Sequence, residues 1–141
     1  MKIGVRAHDY GKMNIEDLAR VLHEEGYDAA QLALPKAFTG IDSYEDITLA
    51  HLERIRRAFE AQKVEIPVFG CYMDLGNPDE EIRAYALTTL KQCLAYSKEA
   101  GANVVGTETA YPHLDAEQKK SGIRICWTVC SVQWKRRSGW M

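Results

Sequence analysis

Four short stretches of the chain place residues of chemical interest directly behind apolar runs. His8, Asp9 and Tyr10 follow the first run. Gln31 lies within the second, with Lys36 just past it, and Tyr72 and Asp74 follow the third. Glu108, Tyr111 and His113 follow the fourth. Histidine, carboxylate, amide and phenol groups suit either a pocket for a polyhydroxylated ligand or a divalent-cation site with oxygen and nitrogen ligands. Each also has a plainer use: His8 as a loop hydrogen-bonding group, Asp74 as a turn cap, His113 as an exposed loop residue beside Pro112. Glu108 stands out because it ends the apolar run Val-Val-Gly-Thr-Glu, where a carboxylate must be hydrated, paired or metal-bound. His23 and His51 fall inside helical patterns and read as surface residues, and no nucleophile-elbow or Ser-His-Asp order is visible.

These residues matter only if strands and helices bring them to one end of a sheet. Lys2–Arg6, Ala29–Leu34, Ile66–Tyr72 and Asn103–Thr107 are short, largely apolar runs that predict strands. Between them lie helical patterns. Ile15, Leu18 and Leu22 share one face after Asn14, with Gly26 just past the end. Ile47, Leu52, Ile55 and Phe59 form a stripe behind a Ser43–Asp46 cap, with Glu53, Arg54, Arg56 and Arg57 outside it. Asn77-Pro78-Asp79-Glu80-Glu81 predicts a capped start for a stripe of Ile82, Ala86, Leu90, Cys93 and Leu94, which Gly101 closes. Asp115 predicts a cap for a further helix whose pattern breaks off near Ile123.

Strands separated by helices pair in parallel through right-handed crossovers. The fold class is therefore α/β, either a doubly wound open sheet or a partial (β/α)8 TIM barrel of about four parallel strands. The phosphate fingerprints of the open folds, GxGxxG after the first strand and GxxxxGK[ST], are absent, which favours the barrel. At 141 residues the chain is short for such a barrel, which takes about 250.

The bulk properties exclude several function classes. With 46% hydrophobic and 27% charged residues the composition is that of a globular protein. A formal net charge of −2 gives no field favouring nucleic acid or anionic lipid. No run is long enough to span a membrane and the start has no signal-peptide core, so the expectation is a cytoplasmic protein with no membrane partner. Cys71, Cys93, Cys126 and Cys130 form no CxxC pair and predict neither a disulfide framework nor a zinc site.

Val68-Phe-Gly-Cys-Tyr-Met-Asp74, followed by Asn-Pro-Asp-Glu-Glu, resembles the third-strand segment of the sugar-phosphate isomerase/epimerase family, the xylose isomerase-like TIM barrels. Ala100-Gly-Ala-Asn-Val-Val-Gly-Thr-Glu-Thr109 resembles that family's fourth strand, and Gly26-Tyr-Asp-Ala-Ala-Gln-Leu-Ala-Leu34 its second. The resemblance covers about residues 1–123, the N-terminal half of such a barrel. It implies an enzyme that interconverts sugars or sugar phosphates by proton transfer beside a carbonyl, using a divalent metal (Mn, Mg or Zn) in the full-length family. The family's metal-binding Glu, Asp, His and Glu come from later strands, so the expectation is a chain that holds no metal itself and is inactive alone. His8, Gln31, Tyr72, Asp74, Glu108 and His113 are then expected to bind the substrate, with no catalytic residue assigned.

Residues 124–141 differ in character. Trp127, Trp134 and Trp140 lie here, and Arg124–Met141 has four basic residues and no acidic one. The segment reads as an atypical tail, frameshifted or disordered. Two open sheet edges predict a homo-oligomer, or a poorly soluble chain. The alternatives are a non-enzymatic half-barrel that self-associates, an anion-binding open α/β module, and a fragment of an AP endonuclease-like barrel. The acids at 79–81 oppose the second of these and the net charge opposes the third.

Overall fold

The computed structural model describes residues 1–108 and 115–124. Strand β1 (Gly4–Arg6) runs into a 3-10 turn, Ala7–Tyr10, and then helix α1 (Ile15–Glu24). Next come β2 (Ala29–Leu32), a single helical turn α2 (Leu34–Ala37), and α3 (Leu49–Ala61). β3 (Glu65–Gly70), α4 (Glu80–Tyr96) and β4 (Val104–Gly106) follow, and residues 116–124 form α5. The chain divides into two compact units. The first is Met1–Cys71 with Lys91–Gly106, and it holds all four of these strands; the second is Tyr72–Leu90 with residues 107–141.

The four strands form one parallel sheet in the order β1-β2-β3-β4. That order decides between the two architectures. A doubly wound sheet reverses its strand order at a switch point, whereas a barrel adds each strand to the same side of the last. The sheet is therefore part of a (β/α) barrel. Arg6 pairs with Gln31, Gln31 with Val68, and Val68 with Val104, which places these four on one face. Ala30, Leu32 and Phe69 alternate with them and are fully buried, as are Leu18 and Leu22 of α1 and Leu52 and Ile55 of α3. α1 packs on α3, and Arg54 of α3 donates two hydrogen bonds of 2.6 Å to the Glu16 carboxylate of α1.

Several boundaries differ from those read in the sequence, each for a local reason. β2 stops at Leu32 because Pro35 does not merely end the strand: it enters the first turn of α2, where a missing N–H costs nothing. The cap of α3 is Thr48, whose hydroxyl accepts the His51 N–H at 3.2 Å. Asp46 instead gathers the Asp42 and Ser43 amides and the Ser43 hydroxyl in the preceding turn, and the Ser43 amide above all holds its carboxyl below the usual range. α4 starts at Glu80, capped by Asp79, whose Oδ1 accepts from the Glu81 and Ile82 amides at 2.8 and 3.3 Å. Asn77 accepts the Asp79 amide one step earlier. Ala86, Thr89 and Cys93 of α4 are buried and Leu90 packs against Leu75 and Ala86, while Ile82 and Leu94 of the expected stripe are 47% and 36% exposed.

Other expectations hold. Gly26 takes φ of +83° just past α1, and Gly101 takes φ of +84° in the turn at 97–101 that follows α4, a backbone shape L side chains resist. Asp115 caps α5 in a reciprocal box: its Oδ1 accepts the Gln118 amide at 2.8 Å, and Gln118 Oε1 accepts the Asp115 amide at 3.0 Å. The described residues of this helix include Ile123 and Arg124. The tail beyond it, with its tryptophans, Cys126 and Cys130, lies outside the described residues. Among the described residues no helix is long and apolar enough to cross a membrane.

Candidate functional site

The 3-10 turn carries His8 straight off the carboxyl end of β1, and the register sets Arg6 beside Gln31. Arg6 Nη2 lies 3.1 Å from His8 Nε2 and 3.2 Å from Asp9 Oδ1. The imidazole pKa falls below its ordinary value, first through burial and then through the neighbouring Arg6 charge. Lys36 of α2 acts in the same direction, and Asp9 opposes them. His8 is thus neutral at pH 7.

Gln31 points to the face opposite Ala30 and Leu32 and is half-buried. A Cβ placed on Gly106 would stand 3.9 Å from Gln31 Nε2 and 3.2 Å from Val68 Cγ1. Absence of a side chain at Gly106 therefore leaves room for Val68 Cγ1 and brings β4 backbone near the Gln31 amide. Tyr44, from the connection between α2 and α3, donates its hydroxyl to the Gly70 carbonyl at 3.0 Å and marks the end of β3.

The second unit supplies the residues that follow β3 and β4 in the chain. Asp74 Oδ2 accepts from Asn77 Nδ2 at 2.8 Å, which is the turn role its position suggests. Its other oxygen, Oδ1, is buried with no hydrogen-bond partner among the described residues, as is Thr107 Oγ1. A buried carboxylate oxygen left unpaired is costly unless a ligand or water completes it. Tyr72 is half-buried, and Glu108 is exposed, so hydration alone accounts for the Glu108 charge. Tyr111 and His113 lie outside the described residues.

Sequence reading missed Arg6, Tyr44 and Thr107. Arg6 and Thr107 flank strand ends and could have been included by position, whereas nothing local marks Tyr44. His23 is exposed, and His51 is half-buried with Nδ1 3.2 Å from the Asp46 carbonyl, a structural contact. Cys71 and Cys93 are free and buried, and their mutual hydrogen bond, with burial, pushes the Cys93 thiol pKa up. Among the described residues no three His, Cys, Asp or Glu side chains converge on a point that could hold a metal ion. Two surface concavities lie away from the carboxyl ends of the strands. One of about 410 Å³ is lined by Glu16 and Arg54 between α1 and α3, and one of about 350 Å³ by Lys63 and Glu65 at the amino end of β3. Shallow, charged grooves of this kind on the helical layer carry no functional argument.

Residues 19–128 match the family described as the xylose isomerase-like TIM barrel. The chain belongs to this family. Solved structures agree on the fold. A D-psicose 3-epimerase from Clostridium cellulolyticum H10 with D-tagatose superposes with a TM-score of 0.66 at 14% identity, covering 94% of this chain and 48% of its own. The 3-keto-D-glucoside 4-epimerase of E. coli gives 0.62 at 19%, covering 99% and 53%. A probable 3-DHS dehydratase from Bacillus anthracis gives 0.63 at 11%, covering 94% and 48%. The chain spans about half the length of these solved structures. No curated protein matches it in sequence.

Proposed function

We propose that this chain is the N-terminal, substrate-binding half of a sugar or sugar-phosphate isomerase or epimerase barrel. The observation that carries the reading is the polar group Arg6, His8 and Gln31 at the carboxyl ends of β1 and β2, the end at which barrels of this architecture bind ligands. Family membership and the sugar-epimerase names of structural neighbours support it. In this reading a neutral His8 donates to a sugar oxygen, and the Gln31 amide donates and accepts. Tyr72, Asp74, Glu108 and His113, which follow β3 and β4 in the chain, are proposed as further hydroxyl contacts. The orphaned Asp74 Oδ1 is the strongest of these, because a sugar hydroxyl would complete it.

A divalent metal is implied for the full-length family. The described residues do not fit one, since no cluster of suitable ligands exists among them. No proton-transfer step is therefore assigned to this chain, and its proposed role is recognition.

Saturation-transfer NMR of the purified chain with D-fructose, D-psicose and their phosphates, with and without Mn²⁺, tests the reading. Ketose resonances should respond. Asp74→Asn should weaken binding by about 1.5–3 kcal/mol, roughly 10- to 160-fold, because a hydrogen bond to a carboxylate acceptor is lost. A folded chain that leaves every sugar unperturbed removes the proposal.

One observation favours a second reading, self-association. Among the described residues β1 and β4 are the edges of the sheet, and Val104 of β4 is 55% exposed. Unpaired edges invite strand addition. Light scattering should then report a dimer or larger species, and a monodisperse monomer with a cooperative melt would reject it.

A further inference from the structure

We propose that two copies of this chain close one eight-stranded barrel, the outer side of β4 in each copy pairing in parallel with the outer side of β1 in the other. This assembly rests on the self-association reading above and adds to it a partner edge, a register and a closure. Among the described residues nothing pairs with the outer side of β1 or of β4, and both edges belong to the first unit. Parallel strands turn alternate residues toward a given neighbour. The Ile3 carbonyl accepts the Asp28 amide at 2.9 Å, so Ile3 and Val5 turn to β2. Lys2, Gly4 and Arg6 then turn their backbone N–H and C=O groups outward. The Gly106 carbonyl accepts the Cys71 amide at 2.7 Å, so Val104 and Gly106 turn to β3 and Val105 turns outward.

Closure fixes the register. A barrel of this class has eight strands and a shear of eight residues. Within one copy the paired residues Arg6, Gln31, Val68 and Val104 run straight across the sheet. Two identical seams must then supply the whole shear, four residues each. Val104 accordingly stands opposite the partner's Lys2, Val105 opposite the partner's Ile3, and Gly106 opposite the partner's Gly4. The reverse slip would set Val104 against the partner's Tyr10, which lies in the 3-10 turn and has no extended backbone to pair. In the permitted register the open groups meet. The Val105 N–H donates to the partner's Lys2 carbonyl, and the Val105 carbonyl accepts the partner's Gly4 N–H. A slip by an odd number of residues would leave these groups unpaired, so strand parity and shear select the same arrangement. Ile3 and Val104 are 53% and 55% exposed, and the seam covers both. Its one ionised side chain, Lys2, is already paired with Glu65 of its own copy. The contact is head-to-tail, and it closes at two copies because the barrel is then full.

Native mass spectrometry of the full chain should give a two-chain species and nothing larger. Val105→Pro removes the outward N–H at an edge position where one copy tolerates proline. It should yield a monomer with the circular dichroism of the wild type. Disulfide trapping reads the register, in a background carrying Cys126→Ser and Cys130→Ser, since Cys71 and Cys93 are buried. Oxidation of mixed Lys2→Cys and Val104→Cys chains should give a covalent heterodimer, because directly opposed strand positions lie within disulfide reach. Val104→Cys by itself should not link, since the two Val104 residues sit on different seams. A monomeric wild-type chain overturns self-association and this assembly together, and leaves sugar recognition standing. A dimer that survives Val105→Pro, or one that links through Val104→Cys alone, overturns the register and leaves self-association. A ladder of larger species overturns closure. Should Val105→Pro not fold, the trapping result decides.

Discussion

Phe59→Ala is expected to destabilise the chain by about 3–5 kcal/mol, the usual cost of emptying a buried aromatic site. Phe59 lies on α3 with 1% exposure and meets Phe38, itself fully buried, edge to face, with ring centroids 6.4 Å apart at 86°. The loss therefore combines transfer of the ring, the cavity it leaves, and the aromatic pair, which adds about 0.5–1.5 kcal/mol beyond area alone. Phe38 and Phe59 come from different segments, so no local rearrangement refills the gap. A domain with about 5–15 kcal/mol in total would be left marginal. Urea titration followed by circular dichroism measures it. The midpoint should fall sharply for Phe59→Ala and much less for Phe59→Leu, which keeps most of the volume. Equal midpoints for Phe59→Ala and wild type would mean that α3 does not pack through this ring.

The second large effect belongs to a residue that touches nothing with a side chain. In the second unit, Gly76 and Gly122 approach backbone to backbone. A Cβ on Gly76 would stand 2.5 Å from the Gly122 carbonyl oxygen and 2.8 Å from its carbon. The obstacle is main chain, which cannot swing aside as the end of a flexible side chain would. Overpacking of this kind costs about 1–3 kcal/mol and occasionally more, and Gly76→Ala belongs at the top of that range. The effect should be local. Hydrogen exchange of the amides in residues 116–124 should accelerate, while those of β2 and β3 stay protected. Unchanged exchange throughout would show that the loop after β3 does not approach α5 this closely.

Much of the fold was legible because helices and strands write their burial into sequence at different periods. Ile15, Leu18 and Leu22 were expected on one face, and all three are buried. Asp115 was expected to cap α5, and it does so with Gln118. The turn residues Gly26 and Gly101 were equally readable, since positive φ selects them locally. Misreadings occurred where two local signals competed. Ser43–Asp46 looked like a cap, but Asp46 satisfied its own turn, and Thr48 stood one residue before the helix. On α4 the expected stripe holds at Ala86, Leu90 and Cys93 and fails at Ile82 and Leu94, which are exposed.

The candidate site was legible only as positions. Chemistry-bearing residues after strands are a local observation, so His8, Gln31, Tyr72 and Asp74 could be named. Their partners could not. The 3.1 Å approach of Arg6 to His8 depends on how the chain turns out of β1, and the orphaned Asp74 oxygen depends on what fails to reach it. Strand order belongs to the same class. By periodicity alone four strands alternating with helices fit an open sheet or a barrel, because crossovers of similar length serve both; the missing phosphate fingerprints and the family resemblance favoured the barrel. Sequence by itself thus determined the elements, their ends and the residue types carried past each strand, all of which are set by interactions a few residues apart. Only tertiary structure decided the order β1-β2-β3-β4, which bears out the barrel, and the shared face of Arg6, Gln31 and Val68. Those depend on contacts between segments far apart in the chain, which no local pattern encodes.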